Sequence, residues 1–181
     1  SISGIMGALD ESEFSDYVIN SFDPTDQNTY NHATSTTIYD SLGNNHVMSQ
    51  FFVKEPLDPS RPNEENLWAM YIQIDGNDVG DPDVTLPFPE NLEPTSARYE
   101  LFFNADGTYD TNATGDLYVT NWDPLDEEGT TTGALKSLNV LEGGLPLTEP
   151  ASNSNFQIVL DGSTQFGSSF SVSEVNQNGY T

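Results

Sequence analysis

The chain has 181 residues, with 29 Asp and Glu against four basic residues, Lys54, Arg61, Arg98 and Lys136, and a formal net charge of −25. Binding to nucleic acid or to an anionic membrane needs Lys and Arg to displace counterions, and this composition argues against both. Cysteine is absent, which excludes disulfides, thiol catalysis and thiolate metal sites.

Ten Phe, eight Tyr and two Trp supply the core of one domain. A domain of this size buries roughly 70% of its unfolded surface without staples. The longest unbroken apolar run is Leu67–Ile72, six residues, against about 20 for a membrane-crossing helix. The opening "SISGIMGALDESEF" has no initiator Met and no basic n-region, so it reads as part of a processed or shortened chain and not as a signal peptide. Residues 1–20 are expected to form a lead-in segment, and 21–181 the domain proper.

Along the chain, "LDESEFSDYVIN" (9–20) carries early acids that suit a helix N-terminus, but its apolar positions fit a 3.6-residue period poorly. His32, in "TYNHAT", is expected to cap a turn or lie exposed. Alternation then predicts strands over 34–39 and 46–53. Between them, Asp40, the carbonyls of Asn44 and Asn45, and His46 form a polar knot that two chemistries fit. One is a metal site, though calcium wants more oxygens and transition metals more imidazoles or carboxylates. The other is a hairpin turn, with Gly43 at φ > 0 and Asp40 and Asn44 capping it. The well-alternating flanks favour the turn.

A third strand is predicted over 67–74, with Trp68, Met70, Ile72 and Ile74 on one face and Leu67, Ala69, Tyr71 and Gln73 on the other. Both faces are largely apolar, so this strand is expected to be central. "DGNDVGDPD" (75–83) has Asp75, Asn77 and Gly80 at the first, third and sixth places of a calcium loop, but Val79 at the fifth. "DGTYDTNATGD" (106–116) lacks the sixth-place Gly. Strands follow over 98–103, 116–122, 156–160 and 168–172. Asn112-Ala113-Thr114 is a formal glycosylation sequon. "ALKSLNVL" (134–141) fits one or two helical turns, within a long surface excursion over 123–150. Gly, Pro, Asn and Asp clusters separate the strands. The expected fold is all-β, an antiparallel barrel or sandwich with long loops and little helix.

No G-x-S-x-G, H-E-x-x-H, P-loop or G-x-G-x-x-G is present, so no catalytic residue, metal site or cofactor is expected. Trp68 and Trp122 offer the alternative of a secreted carbohydrate-binding sandwich, provided that both are exposed. Paired carboxylates about 5–10 Å apart in a cleft would revive a glycosidase.

Three stretches together resemble the bacterial flagellar hook protein family, specifically its outer β domain. "STTIYDSLGNNHVMSQFFVKE" (35–55), followed by "WAMY" (68–71), is similar to the family's hairpin signature through Tyr39, Asp40, Ser41, Gly43, Asn44, His46, Phe52, Val53, Trp68 and Tyr71. "FFNADGTYD" (102–110) looks like its F-N-x-x-G hairpin. "LDGSTQFGSSFSVSEVNQNGYT" (160–181) is similar to the run handing the chain back to the inner domain, through Gly162, Thr164, Gln165, Phe166, Gln177, Gly179 and Tyr180. "SFDPTDQNTYNHATS" (21–35) resembles the lead-in to the first signature. The helical, heptad-bearing termini of full-length hook proteins have no counterpart here, and 56–66 and 123–150 do not match. Rod proteins share related β segments.

The resemblance implies an extracellular structural role in the curved tube that joins rod to filament as a universal joint. It implies packing against other copies and no catalysis. Copies carrying −25 each repel unless screened. Contacts between outer domains are therefore expected to be polar, small and dependent on salt or divalent cations, with the isolated chain monomeric.

Overall fold

Alternating β-branched and aromatic residues build the first three strands, and the first of them reverses at a turn that Asp40 specifies. The computed structural model describes residues 18–62, 66–160, 164–166, 169–171 and 176–177. β1 (His32–Tyr39), β2 (Asn45–Lys54) and β3 (Leu67–Ile74) pair antiparallel in sequence order. On the far side of β3, β5 (Ala97–Phe102) runs along Leu67–Ile72, and the short β4 (Asn77–Asp78) continues that edge at Gln73 and Ile74. A second sheet has the order β10-β7-β6, from β6 (Leu117–Val119), β7 (Phe156–Val159) and β10 (Asn176–Gln177). β8 (Thr164–Phe166) and β9 (Ser169–Ser171) form a separate pair. All these ladders are antiparallel.

The two larger sheets enclose one core, so of the two expected architectures the sandwich is observed; among the described residues the strands close no barrel. Met48 and Phe52 of β2, Trp68, Met70, Ile72 and Ile74 of β3, and Leu101 of β5 meet Leu117, Val119, Phe156 and Ile158. Trp68 is fully buried. A buried aromatic of this kind removes about 150–250 Å² from water, worth roughly 4–6 kcal/mol at about 25 cal/mol per Å².

The opposite face of β3 is buried for a different reason. Val53, Ala69 and Tyr71 form a second cluster there, covered by Phe22, Tyr30 and Phe51. Phe22 stacks on Tyr71 at 4.0 Å between centroids, 9° from parallel. The segment before β1 thus folds back over the sheet, which is why neither face of β3 is polar.

Departures from the sequence reading cluster late in the chain. The strand expected over 116–122 stops at Val119, because Asn121 turns its amide to the carbonyl of Gly80 at 2.8 Å and Trp122 dives into the core. No helix forms over 134–141. Ser137 N–H and Oγ donate to Asp123 (2.9 and 2.8 Å), and Leu138 exchanges bonds with the Asn155 amide, so side chains take the backbone bonds a helix would use. Only a 3₁₀ turn over Val140–Glu142 remains. Conversely, the sequon lies in a one-turn helix, α1 (Thr111–Thr114), begun by Asp110 Oδ1 accepting from Ala113 N–H at 3.0 Å. Residues 9–17 of the first helix candidate lie outside the described residues, and 18–20 are not helical.

Candidate functional site

The turn after β1 is made by Asp40. Its Oδ1 accepts from the N–H groups of Leu42 and Asn44 at 2.9 and 3.0 Å, while its backbone N–H donates to Asn44 C=O at 3.0 Å. Gly43 sits at φ +86°, the left-handed region a side chain resists. Asp40 Oδ2 then reaches His46 Nε2 at 2.9 Å. The other ring nitrogen, Nδ1, lies 2.7 Å from Asp75 Oδ2. Asp75 opens the turn between β3 and β4 at φ +52°, and its Oδ1 accepts from Val47 N–H at 3.0 Å. The β2–β3 register, with Met48 opposite Ile74, brings His46 and Asp75 together. Trp122 meets the imidazole edge-on, 5.2 Å between centroids.

Both Asp40 and His46 are buried, at 2% and 6% exposed. Burial favours their neutral forms, but the hydrogen bonds prevail. Burial pulls His46 down, yet its bonds to Asp40 and Asp75 leave it raised above the ordinary value of 6.5. Burial likewise pushes Asp40 up, yet its bonds to His46, Asn44 and Leu42 leave it lowered from 3.8. Metal binding by the knot finds no support: each ring nitrogen faces a carboxylate, and no group of three or more His, Asp or Glu among the described residues is arranged to hold an ion.

The remaining hairpin-signature residues have packing positions. Tyr39 is 37% exposed at the end of β1. Ser41 Oγ accepts from Leu135 N–H at 2.7 Å, tying the turn to the 123–150 excursion. Phe52 and Trp68 fill the main core, and Val53 and Tyr71 the second cluster. Of the handover residues, Thr164, Gln165 and Phe166 form β8 and Gln177 lies in β10. Gly162, Gly179 and Tyr180 fall outside the described residues. Trp68 and Trp122 are 0% and 4% exposed, so neither can serve as a sugar-stacking surface. The structure disfavours the carbohydrate-binding alternative.

Two further features were not read from the sequence. Beside the second aromatic cluster, Arg98 bonds Glu55 at 2.5 Å, Glu100 at 3.1 Å and the Tyr71 hydroxyl at 3.2 Å, and Arg61 bonds Glu100 at 3.2 Å and Asp58 at 3.0 Å. Burial works against the Arg98 charge, but Glu55, Glu100 and Tyr71 together hold it more firmly protonated than usual. Both of the chain's arginines are thus engaged internally.

The second feature is the 81–94 loop. Its neck is a two-bond bridge between Gly80 and Thr95, at 2.7 and 3.0 Å. Beyond it Val84 (79% exposed), Phe88 (76%), Leu92 (64%) and Leu86 (43%) face outward. "VTLPFP" (84–89) carries no charge. An exposed apolar stretch on so acidic a protein has the character of a contact surface.

A family model described as flagellar basal body protein FlaE D2 domain matches residues 8–180. The chain is also 33% identical over 93 residues to the flagellar hook protein FlgE of Salmonella typhimurium (strain LT2), and equally to that of Salmonella typhi. Each alignment covers 51% of this chain and 18% of the relative, so the chain spans a minor part of those proteins' length.

Proposed function

The chain belongs to the flagellar basal body protein FlaE D2 domain family, and on that premise we propose that it is a structural, non-enzymatic part of the extracellular bacterial flagellar hook, the flexible joint between rod and filament. Residues 21–181 form its outer β domain and 1–20 the lead-in toward an inner domain. The single observation carrying this is the family match over 8–180, joined to a sandwich whose polar clusters are spent on turns and packing. The hairpin residues Tyr39–His46 act as a structural mark that sets strand register, and the run from Gly162 to Tyr180 is where the chain returns inward.

The partners are other copies of the same protein, with no part for nucleic acid or membrane. The uncharged 84–89 stretch of the 81–94 loop offers neighbours an apolar contact that does not need opposite charge, while the acidic residues around it keep contacts small and sensitive to salt. The isolated chain is monomeric in dilute solution. The test is immunogold electron microscopy, with antibody raised against this chain, on flagella from the cells that make it. Gold confined to the short curved segment at the filament base is the expected result. Gold along the filament, or none on flagella, overturns the reading.

A further inference from the structure

We propose that His46 is a histidinium clasp locking the β1–β2 turn to the β3–β4 turn, and that its deprotonation releases the Asp75 arm while the Asp40 arm stays closed. A carboxylate only accepts hydrogen bonds, and a neutral imidazole has a single N–H. Contacts of 2.9 and 2.7 Å from the two ring nitrogens to two carboxylates therefore require both nitrogens protonated.

Charge around the ring is consistently acidic. Asp40 faces it from one turn and Asp75 from the other. Asp126 and Glu127 of the excursion line the cleft beside His46, and Asp123 lines the adjoining cleft past Asp75. Trp122 contributes only a ring edge. Lys136 adjoins the Leu135 that bonds Ser41.

The two arms are not equivalent. The Asp40 side chain is 1% exposed, the Asp75 side chain 39%. When one proton leaves, the buried carboxylate keeps the remaining N–H, because water cannot replace that bond. Asp75 turns to solvent, and its hold on Val47 N–H loosens with it. The neutral tautomer is thus Nε2–H. Since the folded value lies above the unfolded one, this contribution is fully present below about pH 6.5 and is lost as pH rises through the folded value.

The test is ¹⁵N and ¹H NMR titration of the intact chain. His46 should show a midpoint above 6.5, both ring nitrogens protonated below it, and the Nε2–H tautomer beyond it. Amide exchange at Val47 and Asp75 should quicken over the same range, while that of Leu42 and Asn44 stays slow. Asp75→Asn should lower the midpoint without unfolding the chain, as its amide oxygen can still accept. A midpoint at or below 6.5, an Nδ1–H tautomer, or simultaneous loosening of both turns would overturn the proposal.

Discussion

Asp40 performs three jobs with one carboxylate: two turn N–H groups on Oδ1 and the imidazole on Oδ2. Hydrogen bonds to a charged group are worth about 1.5–3 kcal/mol each, less where solvent shares them. Asp40→Ala should therefore cost about 2–4 kcal/mol of unfolding free energy by urea titration at pH 7, with the hairpin amides exchanging fastest. Because the bonds depress its folded value, Asp40's contribution is present above about pH 4 and lost as pH falls through that lower value. The difference between wild type and variant should accordingly shrink in acid. A pH-independent difference would contradict this account. Asp40 and Gly43 were legible as turn chemistry because their partners lie within four residues. Asp75 was not, since it meets His46 across 29 residues and only the β2–β3 register joins them.

Among elements, the 81–94 loop depends most sharply on one backbone position. A Cβ on Gly80 would lie 2.5 Å from Thr95 Oγ1 and 2.6 Å from Thr95 C=O, distances real atoms do not tolerate. Gly80→Ala should open the neck, at a cost of about 1–3 kcal/mol, the usual penalty of overpacking. Limited proteolysis should then cut within 81–94 faster than in wild type; unchanged cutting would mean the bridge does not hold the loop. Strands with clean alternation and a turn at each end, β1 to β3, were readable from the sequence. The 116–122 strand was misread because Thr120 and Trp122 are strand-favouring residues, whereas Asn121 and Trp122 leave the sheet for Gly80 and the core. The 134–141 segment was misread because Asp123 and Asn155, distant in sequence, claim its backbone. The burial of both faces of β3 was anticipated from Ala69 and Tyr71. That the aromatics before β1 cover one of them was not, because stacking of Phe22 on Tyr71 leaves no periodic trace.

At the scale of the molecule, a formal charge of −25 dominates everything the surface does. Repulsion between exposed charges decays over about 10 Å at 0.1 M salt and about 3 Å at 1 M, so added salt relieves self-repulsion in the folded state. The urea midpoint should rise steadily from low salt to 1 M NaCl, and a flat or falling midpoint would show that repulsion is unimportant. The segment before β1 carries one more consequence. Asn20 is fastened to the end of β2, its amide donating to Lys54 C=O at 2.8 Å and its N–H to Glu55 at 3.2 Å, and Asn31 is fastened there too, accepting from Lys54 N–H at 2.9 Å. The intervening ten-residue stretch is thus a closed loop hung from a single point. A pull arriving along the chain at Asn20 passes straight into β2, an interior strand, and never loads the edge strand that follows in sequence. Tension that reaches β2 is shared by its ladders to β1 and β3, which must shear together before the strand yields.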